Sequence, residues 1–199
     1  MKKFAVSLLL SLIGITANAQ SSFSGFSLYG NLNHLTTSTK ITSAPDTFDG
    51  LGKSAIGFTL GGDYGLSIGG SNVLLIGATY NLGGPEYLDF NDITNGNSFK
   101  FKEKQGWSVY VAPGTEVVKD ILLYAKLGYH FAKIEATGDI VGDQEFKGFG
   151  YGVGSRINLN KTTFLTVEFQ QINYGEETAL SANWKPSVTV GSIGLGFTF

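Results

Sequence analysis

Few side chains in this sequence can do acid–base, nucleophilic or metal chemistry. There are two histidines, His34 and His130, and no cysteine. A lone histidine on the polar face of a strand satisfies a polar interior more often than it catalyses, and catalysis needs a second group within hydrogen-bond reach. No cluster of histidines and carboxylates has metal-ligand spacing, and without cysteine neither a disulfide nor a thiolate site can form. The glycine-rich run from Gly148 to Gly154 is followed by no lysine and no helix, so it does not read as a phosphate loop. A net charge of −2 gives no electrostatic footprint for nucleic acid. The expectation is a protein without enzyme activity, cofactor or metal.

The remaining chemistry is electrostatic. Apart from strand ends, Asp63, Lys126, Arg156 and Glu168 are the charged residues inside strand-like segments, and all four share the face of small or polar residues. Two acids and two bases sum to zero, and breaking a buried pair costs ~3–5 kcal/mol, so the four are expected to pair in a lumenal charge network. Arg156 and Glu168, on consecutive strands across the shortest turn, are the expected direct neighbours. A second grouping sets Tyr87, Phe90 and Phe99 beside Lys100, Lys102 and Lys104. Aromatic anchors with cations suit an anionic partner such as lipopolysaccharide phosphates or a surface glycan.

The elements that carry these residues follow from hydrophobic patterning. Period-two alternation, the mark of a strand with two chemically different faces, recurs along the chain. Ile56, Phe58, Leu60 and Tyr64 oppose Gly57, Thr59, Gly61 and Asp63; Leu123, Ala125, Leu127, Tyr129 and Phe131 oppose Tyr124, Lys126, Gly128 and His130. Phe149, Tyr151 and Val153 alternate with Gly148, Gly150, Gly152 and Gly154, and Leu165, Val167 and Phe169 with Thr166, Glu168 and Gln170. Counting the less regular segments at about 25–33 and 99–112, the pattern predicts eight strands. The 28 glycines disfavour helices, because each in a helix interior costs ~1 kcal/mol relative to alanine. The alternating glycines of the 148–154 segment are expected to let bulky lumenal neighbours such as Tyr124 approach closely.

Connections alternate long and short. Residues 36–53, 83–98, 133–145 and 175–185 read as long loops, and 65–71, 113–119 and 158–161 as short turns. That is the pattern of barrels in an outer membrane, with short periplasmic turns and longer extracellular loops. Within hydrocarbon every backbone polar group must be paired, so strands of period two can cross only as a closed barrel. The charges agree, since a lipid-facing Arg or Lys at mid-depth costs ~2–4 kcal/mol and the four internal charges fall on the other face. Tyr64, Tyr80, Phe101, Trp107, Phe131, Trp184 and Phe197 are expected to form the two interfacial aromatic girdles. Such a barrel has an interior just wide enough for side chains to fill, so a permanent wide channel is not expected.

The two ends carry address signals. Lys2 and Lys3, the apolar run Ala5 to Ile15, and Ala17-Asn18-Ala19 make residues 1–19 a signal peptide, leaving 20–199 as one barrel domain. At the other end, the segment Gly191-Ser192-Ile193-Gly194-Leu195-Gly196-Phe197-Thr198-Phe199 resembles the terminal strand of outer-membrane barrels. The chain from about residue 23 onward resembles the small eight-stranded outer-membrane β-barrel family, which includes opacity-type proteins, outer-membrane protein X and the membrane domain of OmpA. The resemblance implies an all-β, eight-stranded antiparallel up-and-down transmembrane β-barrel in the cell outer membrane, surrounded by its lipid and lipopolysaccharide. It also implies that Phe197 and Phe199 form the signal read by the barrel-assembly machinery. Unlike full-length OmpA, the chain is not expected to carry a peptidoglycan-binding domain. Enzymes sharing the architecture include lipid A deacylases with a serine near the histidine, but Ala132 stands two positions after His130. Two roles stay open on sequence grounds: a structural or surface-interaction role through the long loops, and a narrow or gated solute pathway.

Overall fold

A computed structural model describes residues 21–43, 46–84, 86–92, 97–138, 141–179 and 182–199, and leaves aside the side chains of 43, 46–51, 87–92, 97–99, 179 and 182. The proposed signal segment lies outside the described residues. Eleven strands are present among them: β1 (Gly25–Ser43), β2 (Asp46–Leu51), β3 (Ser54–Gly69), β4 (Asn72–Leu82), β5 (Glu86–Asp92), β6 (Asn97–Val118), β7 (Ile121–Gly138), β8 (Gly142–Asn158), β9 (Thr163–Tyr174), β10 (Glu177–Ala179) and β11 (Ala182–Thr198). Eight of them form the wall, in the order β1, β3, β4, β6, β7, β8, β9, β11, and β11 pairs antiparallel with β1 to close it. Closure removes the free edges that hydrocarbon forbids. The seam is tied by the Phe199 N–H, which donates to the Phe26 carbonyl at 2.8 Å, with the two rings 6.2 Å apart.

The alternation places side chains as the sequence implies. Ile56, Phe58, Leu60, Tyr64, Leu127, Phe149, Val153, Val167, Phe169, Ile193, Leu195 and Phe197 face outward, whereas Ser27, Asn31, Thr59, Asp63, Lys126, Arg156, Thr166, Glu168 and Ser192 are buried in the lumen. The short turns are tighter than the expected 65–71 and 113–119, because 65–69 continue β3 and 113–118 continue β6 as paired strand. Gly69 and Gly70, with φ of 109° and 57°, link β3 to β4, and Asp120, with φ of 67°, links β6 to β7. Both use the left-handed region that two-residue hairpins need.

The long connections depart from expectation. The expected loop at 133–145 is largely strand among the described residues: β7 runs to Gly138 and β8 starts at Gly142, with Glu135 opposite Asp143. Likewise β1 and β11 stay paired as far as Thr42 and Asn183, and β2, β5 and β10 fold back against β1, β6 and β11. The physical reason is a reversal of polarity without a change of parity. On lower β7 and β8 the outward residues are apolar (Leu127, Tyr129, Phe149, Tyr151) and the lumenal ones polar or small. On the upper parts the outward residues are charged (Lys133, Glu135, Asp143, Glu145, Lys147), while Ala132, Ile134, Ala136 and Phe146 are buried inside. The strand continues, but its surroundings change from lipid to water.

Because β3, β4 and β9 end lower than their neighbours, the wall above this level splits into two sheets: β2, β1, β11 and β10 on one side, and β5, β6, β7 and β8 on the other. Leu35, Val188 and Val190 from the first sheet and Ala132, Ile134 and Phe146 from the second meet Ile172 and Tyr174 of β9 in one apolar core. Phe101 and Trp184 join that core, their rings 5.1 Å apart. These two are therefore not girdle residues. A bulge in β6 between Glu103 and Gln105 reverses the parity above it and turns Phe101 inward, and Trp184 lies on the inward register of β11. The outer girdle is made instead by Trp107 stacked on Phe131 at 3.9 Å, with Tyr129 and Phe149 edge-on beside them.

The polarity reversal predicts position-dependent costs. Leu127→Lys, at a site 59% exposed on the lipid face, should lower stability by ~2–4 kcal/mol, whereas Glu135→Lys above the reversal should change it by only about 0–1 kcal/mol. Reversible denaturant unfolding in lipid vesicles measures both.

Candidate functional site in the lumen and at the outer rim

Midway along the barrel, side chains from most of the wall strands form a closed polar belt. Asp63 on β3 accepts from both terminal nitrogens of Arg156 on β8, at 3.1 Å for Nη1 and closer for Nη2, and from the Tyr110 hydroxyl at 2.5 Å. Tyr110 and Tyr29 share a hydrogen bond of 2.8 Å. The Arg156 guanidinium carbon lies 4.6 Å from the centre of the Phe164 ring and 5.4 Å from that of Tyr29. On the other side, Lys126 on β7 donates to both carboxylate oxygens of Glu168 on β9, at 3.1 and 3.0 Å. Glu168 also accepts from Tyr124 at 2.7 Å and from Gln170 at 3.0 Å. Lys126 sits 4.1 Å above the Tyr110 ring, which joins the two halves. Each of these four charges thus has an opposite partner, the two carboxylates accept further hydrogen bonds from tyrosine and glutamine, and the two cations lie against aromatic rings, the kind of support that buried ion pairs require.

The pairing differs from the expected one. Arg156 pairs with Asp63 across the lumen, and Glu168 with Lys126; Arg156 and Glu168 make no direct ion pair. The β8–β9 register sets Arg156 opposite Thr166 and Glu168 opposite Gly154, so the two charges are offset along neighbouring strands. Glycine makes the observed pairing possible. Lys126 and Glu168 sit on the two strands flanking β8, where Gly152 and Gly154 lie between them and offer no side chain to block the bridge.

The same device recurs around the wall. Tyr29 lies directly opposite Gly61, Tyr110 opposite Gly77, Tyr124 opposite Gly154 and Phe164 opposite Gly196. A Cβ on any of these glycines would collide with the facing ring. Four aromatic rings thereby lie flat against the wall and surround the ion pairs with little free space. Sequence reasoning singled out Tyr124 alone; the others needed the register, although a lumenal-parity aromatic matched by a lumenal-parity glycine on the next strand was a usable signal.

Apolar side chains close the lumen below and above the belt. Phe23, Val73, Leu75, Ala112 and Leu122 fill the periplasmic end, and the two-sheet core fills the extracellular end. Between belt and upper core a cavity of about 50 Å³ remains, bordered by Asn31, Asn33, Thr59, Asn81, Gln170 and Ser192. That is room for a few waters, not for a passage. His130 faces the lumen with its ring over Gly150, and His34 is on the exposed face of β1. The structure brings neither histidine into a pair with the other, and no group of three or more His, Asp or Glu residues that could hold a metal occurs among the described residues.

At the outer rim, Lys100, Lys102 and Lys104 all project from the exposed face of β6, just above Trp107. Lys104 pairs with Glu135 at 3.2 Å, Lys53 with Glu86 at 2.7 Å and Lys133 with Asp143 at 2.8 Å. Lys102 lies in register between Glu86 and Glu135. The hydrogen bond with Asp143 raises Lys133 above the ordinary lysine range and holds Asp143 below the ordinary carboxylate range. The lysines thus belong to a mixed-charge collar over the β6–β8 sector. The opposite sector presents His34, Thr36, Gln171, Asn173, Ser187 and Thr189 at the corresponding outward positions, with Lys40 and Lys185 exposed side by side farther along β1 and β11. The side chains of Tyr87, Phe90 and Phe99 lie outside the described residues.

A closed wall with an apolar exterior, aromatic girdle and solid lumen defines an outer-membrane β-barrel. The comparisons agree: the pattern of the outer membrane protein beta-barrel domain matches residues 5–199, and the chain belongs to that family. Among solved structures it is similar to OprG from Pseudomonas aeruginosa (13% identity, 92% of this chain and 99% of that one, TM-score 0.55). It is also similar to Neisserial surface protein A (17%, 88% and 98%, TM-score 0.51) and to the outer membrane protease OmpT from Escherichia coli (10%, 93% and 100%, TM-score 0.53). At these identities the likeness is one of fold. No curated protein sequence matches the chain. The protein is an integral component of the cell outer membrane.

The belt predicts a double-mutant signature. Lys126→Met alone leaves Glu168 buried without its cation and should destabilise the barrel by ~3–5 kcal/mol, while adding Glu168→Gln should recover at least half of that loss. Denaturant midpoints in lipid vesicles for the wild type, both single variants and the double variant give the coupling.

Proposed function

We propose that this barrel serves as a non-enzymatic surface-interaction protein whose contacts are made above the membrane, with an anionic glycolipid or surface glycan as the partner. The observation that carries this reading is the contrast between the two ends of the same strands. The lumen is filled by apolar layers on either side of an ion-pair belt, whereas the strands rise beyond the girdle into two sheets with a collar of charge on one sector. On this reading the contacts are made by paired strands rising above the girdle. Lys100, Lys102 and Lys104 supply the cations, and Tyr87, Phe90 and Phe99 remain the proposed aromatic contacts. Phe197 and Phe199, exposed at the end of β11, are carried as the assembly signal.

Replacing Lys100, Lys102 and Lys104 with glutamine should leave folding unchanged. It should weaken adhesion of expressing cells to an anionic-polysaccharide surface about tenfold at low ionic strength, since each surface cation contributes up to ~1 kcal/mol and the contribution is screened by salt. Adhesion equal to wild type at low salt would move the role to another sector.

The alternative is a narrow or gated solute pathway, which would have to pass the belt and both apolar layers. Refolded protein in planar bilayers should show no steady single channels, and steady conductance would favour the pathway over the adhesive role.

A further inference from the structure

Residues Ser21 to Ser24 precede β1 and take no part in the wall, whose pairing begins at Gly25. The Ser24 N–H donates to the Ser21 carbonyl at 3.0 Å, and the Phe23 N–H to the Ser21 hydroxyl at 3.3 Å, which folds the segment into a tight turn. The turn carries Phe23 into the periplasmic mouth, where it is 3% exposed and packed among Val73, Leu75, Ala112 and Leu122. The far side of the turn is anchored across the opening. Ser21 and Ser22 hydroxyls donate to the Glu116 carboxylate at the end of β6, at 3.2 and 3.4 Å, and Asn158 at the end of β8 donates to the Ser22 hydroxyl at 3.1 Å. In a wall of eight, β6 and β8 flank the strand diametrically opposite β1, so the segment spans the whole mouth. Glu116 is itself held by the Asp120 N–H at 3.1 Å.

We propose that Ser21–Ser24 is a strap that closes the lumen from the periplasm, with Phe23 as its stopper and Glu116 as its latch. No ladder hydrogen bond depends on the strap, so it can swing out while the barrel stays intact. Its closure is separate from that of the ion-pair belt: releasing it exposes the lower apolar layer and leaves the belt in place. The device sets access to the lumen from one side only.

The absence of native cysteine allows a single reporter. Ala112→Cys places a thiol beside Phe23, beneath the belt, and its reaction with a small cationic methanethiosulfonate is followed on protein in lipid nanodiscs. With the native strap the thiol should be protected. Phe23→Ala should speed labelling at least about tenfold, as expected for a site opened by more than a local fluctuation, and Phe23→Leu should restore protection. Glu116→Ala, which leaves the stopper ring intact, should also speed labelling and decides the question by itself should Phe23→Ala fail to give the heat-modifiable folded form. Equal rates in the reporter, Phe23→Ala and Glu116→Ala, or fast labelling with the native strap, would overturn the proposal.

Discussion

The backbone of a strand in hydrocarbon has no water to turn to, so each N–H and C=O must be paired along the wall. Most other features of this protein follow from that requirement. A wall of eight strands closes every ladder but leaves a lumen only as wide as its own side chains. What faces inward must then fill the space and satisfy its own polar atoms, because it cannot borrow either from lipid. Asp63, Arg156, Lys126 and Glu168 do this as two cross-lumen ion pairs, and tyrosines supply both bulk and hydroxyl donors.

Filling the lumen without straining the wall is a problem of volume. Tyr29, Tyr110, Tyr124 and Phe164 are too large to stand upright together, and each lies down over a glycine directly across the ladder. The glycines thus have a packing role that their conformational freedom alone does not explain. They place rings against the wall, which in turn hold Arg156 between aromatic faces and support Lys126 over Tyr110. The belt is consequently a unit, and loss of one member affects partners on several strands.

Above the girdle the same strands meet a different solvent and invert their chemistry. Inside the bilayer the exterior is apolar and the centre polar; beyond it the exterior is charged and the centre apolar, as in a soluble two-sheet domain. One chain therefore contains two cores of opposite organisation joined by continuous strands. The upper sheets hold their exterior residues in ladder register and require their own hydrophobic core to do so. Ion pairs between neighbouring strands, Lys104 with Glu135 and Lys133 with Asp143, lie on the outer face of one of the two sheets.

Because alternation of period two depends only on neighbours along the chain, sequence alone was enough for the class of fold, for most of the outward-facing residues and for the lumenal side of Asp63, Lys126, Arg156 and Glu168. It was not enough for Glu103, which the β6 bulge turns inward. The expected short turns at 65–71 and 113–119 are mostly strand, since β3 runs to Gly69 and β6 to Val118. Three things needed the tertiary structure. The partners of the charges are set by barrel shear and by which strands stand opposite, so Arg156 meets Asp63, 93 positions away, and not the nearby Glu168. The long connections were misread because the pattern of Lys133, Ile134, Glu135 and Ala136 is still alternation, but with the sense of inside and outside reversed where lipid gives way to water. Phe101 and Trp184 were assigned to the girdle because a single bulge in β6 shifts parity by one, and the inward register of upper β11 becomes visible only when β11 is laid against β1. Periodicity says which residues share a face; only closure of the wall decides what that face meets.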